Sequence, residues 1–250
     1  MTQAMERRQG ADAPDVNGKH RSSRNLLIDF WGSAVGKKWV MALTGVGLMG
    51  FVFAHMFGNI KMFFGRTSFD HYSEQLRYLL YPILPHTWTL WALRIGLIVM
   101  FALHIIAAAQ LTAMNRRSRP IRYQSPRDYI AANFASRTMR WTGIIVALYV
   151  LFHLADLTWG WANPDFVRGN AYDNLVASLS RPPVAAIYLI GNLALGVHLF
   201  HGAWSLFQSM GLNSPRYNGV RRAFAAAFVV VTIGMNCAFV VAIQLGVVSN

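Results

Sequence analysis

The sequence predicts an all-α integral membrane protein with five transmembrane helices in a bundle, on the basis of its composition and of the distribution of its apolar residues. Of its 250 residues, 54% are hydrophobic and only 13% are charged, about half the charged fraction of an ordinary soluble domain. The apolar residues are concentrated in five runs, and a bilayer core of roughly 30 Å takes about 20 helical residues to cross. This composition argues against a soluble enzyme.

The five predicted spans follow one another with polar segments between them. They run from Trp39 to Phe64, Trp88 to Met114, Trp141 to Trp161, Val184 to Met210 and Ala223 to Val247. The intervening segments are rich in Pro, Asn, Arg and Asp, which is typical of loops. We expect a polar N-terminal tail over residues 1–37, a transmembrane domain over residues 38–250, and no internal repeat.

The excess of basic residues predicts the orientation of the chain in the membrane. There are 23 Lys and Arg against 10 Asp and Glu. They occur in short clusters between apolar runs, not on a solvated face interleaved with aromatic residues, so we expect no nucleic-acid partner. Most of them fall on one side of a five-helix path. The positive-inside rule then places the N-terminus in the cytoplasm and the C-terminus outside, in the cytoplasmic (inner) membrane.

A glycine motif in the first span resembles a dinucleotide fingerprint. Gly45, Gly47 and Gly50 have the spacing G-x-G-x-x-G, but that fingerprint requires a preceding strand and a polar turn. Here the motif lies inside an apolar helix. We therefore expect these glycines to allow close approach of a neighbouring helix or of a flat cofactor.

Histidines within the spans are the main functional signal, because ionisable residues in a bilayer are costly and usually functional. The predicted spans contain His55, His104, His153, His198 and His201. At about 1.5 Å per helical residue, His104 and His201 share a level nearer the cytoplasm, and His55 and His153 share one farther out. His198 is an alternative to His201, which we favour because Gly202 leaves space beside it.

Two histidines at one depth on facing helices meet the requirement for two axial ligands of a haem iron. Two such pairs predict two b-type haems. If only one histidine pair binds a haem, the prediction is a single b-type haem. Zinc is less suitable, because a structural zinc site needs four ligands near one point. Cys237 is the sole cysteine. A non-haem iron or Rieske-type iron–sulfur centre therefore remains an alternative only with cysteines from a partner subunit.

Four groups of residues carry a family resemblance. They are His55-Met56-Phe57-Gly58-Asn59, His104 with Leu111-Thr112 and Asn115-Arg116, Trp141-Thr142-Gly143 with His153-Leu154, and His198 to Ser205 with Phe207-Gln208 and Met210-Gly211. These motifs resemble the succinate dehydrogenase/fumarate reductase cytochrome b subunit in its single-chain, five-helix form. The resemblance covers residues from about 30 to 250, and the last motif is its most specific part.

The resemblance implies a membrane anchor of a succinate:quinone oxidoreductase (respiratory complex II), not catalytic for succinate by itself. It implies two b haems, one between His104 and His201 and one between His55 and His153. It further implies flavoprotein and iron–sulfur subunits on the cytoplasmic face, room for a further small membrane subunit, and electron exchange with a membrane quinone. Leu199 stands where some relatives carry a glutamate for proton transfer, so that proton route is in doubt.

Reduction of a quinone requires protons and hydrogen-bond donors, and the sequence offers candidates at both membrane surfaces. Asp156 is the only carboxylate within a predicted span; it predicts either a proton relay or quinone contact, or an ion pair with an arginine such as Arg94. The outer loop Asp70–Arg77 adds Tyr72, Glu74 and Arg77, and the inner surface adds Ser33.

Two other functions fit parts of the pattern. A b-type cytochrome anchoring another quinone-linked dehydrogenase would use similar histidine pairs. A proton-coupled transporter would use membrane histidines as relays, but the odd number of helices, the lack of an inverted repeat and the scarcity of intramembrane carboxylates count against it.

Overall fold

The computed structural model describes residues 25–118, 130–212 and 214–249, and within these ranges the regular structure is helical. Most of the predicted tail, residues 1–24, lies outside the described residues. Five helices are long and apolar enough to cross a membrane. They are α2 (Ala34–Ile60), α4 (Trp88–Arg117), α5 (Ile130–Leu157), α7 (Pro182–Ser209) and α8 (Asn218–Gln244). The prediction of an all-α protein with five spans is confirmed.

Three short helices outside the spans were not predicted. They are α1 (Leu26–Gly32), α3 (Arg66–Gln75) and α6 (Ala171–Leu179). Helix α3 corrects the interpretation of Asp70–Arg77 as a loop. It is supported by local hydrogen bonds, from Ser73 Oγ to the Asp70 carbonyl and between the side chains of Gln75 and His71. Such a short polar helix lacks the apolar run on which the prediction of spans depended.

The third span ends earlier than predicted, at Leu157 rather than Trp161. Beyond Leu157, the amide of Trp159 bonds to the Leu154 carbonyl and the amide of Trp161 bonds to the Ala155 carbonyl. Gly160 has φ of +74°, a conformation that glycine adopts without steric cost. The chain therefore turns out of the helix while the sequence is still apolar.

The spans are arranged as two antiparallel pairs and one additional helix. Helix α2 packs along α4, and α5 packs along α7. Helix α8 lies against α7 and, less extensively, against α2. A compact core forms where one end of α2 meets α6, α7 and α8, around Met56, Leu179, Tyr188 and Phe239. Many large apolar side chains of α4 and α5 are exposed in the isolated chain, which is expected where lipid replaces water as the surrounding medium.

Candidate functional site: two histidine pairs

The transmembrane helices bring four histidines together at two levels. His55 of α2 and His153 of α5 have ring centres 5.9 Å apart, with their planes at 84°. His104 of α4 and His198 of α7 have ring centres 6.4 Å apart, with their planes at 69°. Each pair therefore joins the α2/α4 unit to the α5/α7 unit. We name His104 and His198 the first pair, and His55 and His153 the second pair.

The two levels are separated along the helix axes. Thr44, which contacts His104, precedes His55 by 11 positions on α2. At about 1.5 Å per residue, this spacing is roughly 16 Å. The two pairs thus lie far enough apart to hold two separate cofactors.

A glycine lies beside each ring of the first pair. A Cβ atom added at Gly45 would be 3.5 Å from Cε1 of His104, and one added at Gly143 would be 3.5 Å from Cε1 of His198. A side chain longer than that of alanine would collide with the ring. Gly45 is the first glycine of the G-x-G-x-x-G motif, while Gly47 lies against Met100 of α4. Two of the three glycines of the motif thus allow close approach, as expected for glycines inside an apolar helix.

The partner of His104 in the structure is His198, which the sequence offered as the alternative ligand. His201, which the sequence favoured, lies three residues farther along α7 and contacts the ring of its neighbour Phe200. The depth argument could not separate the two, because residues three apart on one helix differ by less than one turn. Which histidine ring contacts His104 depends on how α7 is rotated about its own axis. The depth of a residue along the helix gives no information on this rotation.

Aromatic rings surround the second pair. Phe51 stacks on His55 at 5.4 Å, and the rings of Tyr149 and Tyr188 lie 6.1 and 5.8 Å from that of His153. Nδ1 of His153 is buried and has no hydrogen-bond partner among the described residues. A buried polar atom without a partner is costly, so this nitrogen favours a bound group at the second pair.

Among the residues that the structure describes, each pair offers two ligand nitrogens and no third protein ligand. Within the described ranges, no group of three or more His, Cys, Asp or Glu side chains is placed to hold a metal ion. A metal bound between two imidazoles here would need its other ligands from a macrocycle such as haem or from another subunit. The arrangement suits the haem prediction better than a structural zinc site.

Asp156 lies one helical turn from His153 and is fully buried. Its carboxylate accepts hydrogen bonds from Ser178, from the Tyr188 hydroxyl at 2.8 Å and from Arg181 at 2.9 Å. The arginine that pairs with it is thus Arg181 and not Arg94, whose guanidinium lies 5.2 Å from the centre of the Trp91 ring. The sequence could not identify Arg181 because it comes from a distant part of the chain.

A cavity of about 200 Å³ opens beside the second pair, between the end of α2 and helix α3. His55, Asn59, Phe69, Tyr72 and Ser73 contribute to its wall. The Tyr72 ring lies so close to Gly58 that a Cβ atom there would be 2.8 Å from Cε1 of the ring. Of the quinone candidates Tyr72, Glu74 and Arg77, Tyr72 is therefore the one that lines this cavity.

The other quinone candidates lie elsewhere. Glu74 and Arg77 form an exposed ion pair at 3.1 Å and are not part of the cavity wall. Ser33 is the N-cap of α2: its hydroxyl accepts from the Gly36 amide and donates to the Phe30 carbonyl, both at 2.8 Å. The polar groups of these three residues are thus occupied in local contacts.

A short motif occurs on both α2 and α5. Thr44-Gly45 precedes His55 by the same spacing as Thr142-Gly143 precedes His153, T-G-x9-H in both cases. The two histidines of this motif form the second pair, and the two threonines contact the rings of the first pair. The two twelve-residue segments share only four identical positions, the fourth being Val52 and Val150, so hydropathy and composition do not reveal the motif.

Comparison with known protein families gives one match. Residues 112–235, about half of the chain, match the family of the succinate dehydrogenase/fumarate reductase transmembrane subunit. The matched region contains His153, His198 and His201 together with Asp156, and it ends before the last turns of α8. Neither the curated proteins nor the solved structures contain a significant match to the chain.

Proposed function

The chain belongs to the succinate dehydrogenase/fumarate reductase transmembrane subunit family, and on this premise we propose that it is the membrane anchor of a succinate:quinone oxidoreductase. In this function it connects an iron–sulfur subunit at one membrane surface with a quinone in the bilayer. It is a multi-pass membrane protein, and the proposed location is the cytoplasmic membrane.

The spacing of the two imidazole pairs is the observation that carries the proposal. A bond between a metal and an imidazole nitrogen is about 2 Å long, and the ring centre lies roughly 1 Å behind the nitrogen, so two imidazoles on one metal have centres about 6 Å apart. The observed distances are 6.4 and 5.9 Å. Both pairs therefore match the separation expected for two imidazoles that would hold one iron.

The residues around the pairs fit a b-type haem at each level. Gly45 and Gly143 allow the rings of the first pair to pack closely against α2 and α5, and the unpartnered Nδ1 of His153 lies at the second. Iron held between two imidazoles supplies one-electron transfer. The chain's own contribution is to hold the imidazoles at fixed separation, to exclude water with the surrounding aromatic rings and to space the levels along the membrane normal. A non-haem iron centre completed by a partner subunit would use the same four nitrogens.

We propose the cavity beside His55 as the site of the quinone head group. Its volume of about 200 Å³ is below the roughly 300–1,000 Å³ of pockets for drug-sized ligands, which suits a single ring with its tail in the lipid. Phe69 and Tyr72 offer aromatic surface, and the Asn59 amide and the Tyr72 hydroxyl are able to donate hydrogen bonds to quinone carbonyls.

The proposed orientation places the partner subunits at the opposite end of the bundle. There α4 ends in Arg116 and Arg117, and α8 begins beside Arg216 and Arg222, all four exposed. Basic residues concentrate on the cytoplasmic side of membrane proteins. We propose that flavoprotein and iron–sulfur subunits dock on this face.

The test is a dithionite-reduced minus oxidised absorption spectrum of the complex purified through a tag on this chain. We expect b-type bands, with one component lost in His104→Ala and another in His55→Ala. The control is His71→Ala, because His71 is exposed and hydrogen-bonded to Gln75 on α3. Absence of iron-dependent signals from the intact complex would overturn the proposed cofactors.

The same preparation tests the proposed partners. A flavin-containing subunit and an iron–sulfur subunit should co-purify with this chain and reduce a quinone analogue with succinate. If the chain consistently purifies with a dehydrogenase for another substrate, the assignment to succinate is wrong while the histidine pairs can still hold haem.

A further inference from the structure

Two threonines occupy equivalent places in the two halves of the bundle. Thr44 is on α2 and Thr142 is on α5, and each is followed by a glycine and, eleven positions after the threonine, by a histidine of the second pair. Both threonines are buried. Threonine is uncommon as a buried residue. Two buried threonines at matching positions therefore indicate that each makes a specific polar contact.

Each threonine makes that contact with a histidine of the first pair. Thr44 Oγ1 lies 3.2 Å from Nδ1 of His104, and Thr142 Oγ1 lies 3.4 Å from Nδ1 of His198. The backbone one turn earlier is equivalent in both halves, because Thr44 Oγ1 lies 3.2 Å from the Met41 carbonyl and Thr142 Oγ1 lies 3.2 Å from the Met139 carbonyl. The two halves of the bundle thus present the same polar surroundings to Nδ1.

The direction of these hydrogen bonds follows from a second hydrogen bond that each threonine hydroxyl makes to a backbone carbonyl. Thr44 donates its hydroxyl hydrogen to the Val40 carbonyl at 2.7 Å, and Thr142 donates to the Thr138 carbonyl at 2.9 Å. With the hydrogen occupied, the threonine oxygen is left to accept, so the imidazole Nδ1 carries the hydrogen and donates it. The opposite nitrogen, Nε2, then keeps its lone pair free.

We propose that Thr44 and Thr142 are positioning residues that fix the tautomer and the ring orientation of His104 and His198, so that both present Nε2 to one iron. A hydrogen bond from the second nitrogen of a ligating histidine fixes its tautomer and raises its basicity as a ligand. This inference rests on the proposed function. It selects His198 over His201, because Thr142 contacts His198.

The second pair provides an internal reference. Nδ1 of His153 lacks a partner in the described part of the chain, so no threonine orients that ring as Thr44 orients His104. Substitution of the threonines should therefore change the first pair and leave the second unchanged. A general loss of packing would affect both levels alike.

The experiment is a redox titration of the tagged, purified complex, followed by its absorption difference spectrum. The signal of the first pair is defined as the component lost in His104→Ala. Thr44→Val and Thr142→Val keep the shape but remove the acceptor. We expect the midpoint potential of this component to rise, because a less basic imidazole stabilises oxidised iron less, and cofactor affinity to fall about 10–100-fold.

Two further variants distinguish positioning from packing. Thr44→Ser retains the hydroxyl and should restore the wild-type potential even if Thr44→Val assembles poorly. Thr112→Val is the matched control, because the Thr112 hydroxyl also donates one turn back, to the Ala108 carbonyl at 2.8 Å, and it should leave the potential unchanged.

The possible results separate the inference from the proposed function. If the midpoint potential of the first-pair signal and its cofactor occupancy are unchanged in both valine variants, the positioning role is overturned. The signal of the wild-type complex would still support iron at the first pair. An equal shift in Thr112→Val, or a failure of Thr44→Ser to restore the potential, would also overturn the positioning role. A wild-type complex without iron at this level would overturn the proposed function itself.

Discussion

Arg181 donates a hydrogen bond from Nη2 to Oδ1 of Asp156 across 2.9 Å, and the carboxylate is fully buried. Tyr188 of α7 and Ser178 of α6 donate to its other oxygen. One carboxylate on α5 thus holds together three helices around the second histidine pair. Because a buried charge is tolerated only when it is paired and hydrogen-bonded, this geometry favours a structural clamp over a mobile proton relay.

We predict that Asp156→Ala destabilises the chain strongly. The substitution removes the acceptor shared by Arg181, Tyr188 and Ser178, and loss of one partner of a buried pair costs about 3 kcal/mol. Asp156→Asn keeps one oxygen as an acceptor and should cost less. The free energy of unfolding in mixed micelles measures both effects, and wild-type stability in Asp156→Ala would contradict the clamp.

The ion pair between Arg66 and Asp173 is the matched control for this experiment. It also joins distant parts of the chain, with a nitrogen–oxygen distance of 2.7 Å, but the side chain of Arg66 is 51% exposed. Exposed ion pairs contribute about 0–1 kcal/mol. Asp173→Ala should therefore change the free energy of unfolding much less than Asp156→Ala does.

A second prediction separates His198 from His201 as the ligand opposite His104. Because the ring in contact with His104 is that of His198, we expect His198→Ala to remove the same spectral component as His104→Ala. His201→Ala should retain it. The difference spectrum of the three purified variants checks this, and loss of the component in His201→Ala alone would restore the pairing that the sequence favoured.

A third prediction concerns the cavity beside the second pair. Tyr72→Phe removes one hydroxyl at the cavity wall, and loss of a typical hydrogen bond should raise KM for the quinone about fivefold. Glu74→Gln should leave KM unchanged, because Glu74, near the end of α3, forms an exposed ion pair with Arg77. Steady-state reduction of a quinone analogue by the complex measures both, and equal effects would argue against the cavity.

The sequence was sufficient to predict the five transmembrane helices, because a bilayer permits few backbone structures. Each span must be a helix long enough to cross the hydrocarbon, so the apolar runs alone predict five helices. Helix α3 and helix α6 were missed for the same reason, because they are too short to span a membrane and have no comparable apolar run. Local hydrogen bonds such as that of Ser73 to Asp70 define α3 instead.

For the candidate site, the sequence predicted the level of each histidine along its helix and not which side chains face one another. The levels of His55 and His104 follow from the number of residues to the nearest charged loop. The choice between His198 and His201 depends on the rotation of α7 about its axis, and the partner of Asp156 depends on how α6 and α7 meet α5. These are tertiary relationships, which a single apolar sequence without a clear amphipathic face leaves open.

The final prediction tests the space beside the first pair through the glycines of α2. Gly45 faces the ring of His104, whereas a side chain at Gly50 would meet nothing within 4 Å. Gly45→Leu should therefore displace the ring and abolish the spectral component assigned to the first pair, while Gly50→Leu should retain it. Gly45→Ala is expected to be tolerated by the apo chain, because its Cβ would lie at an ordinary contact distance of 3.5 Å. Retention of the component in Gly45→Leu would show that no group requires the space that this glycine leaves.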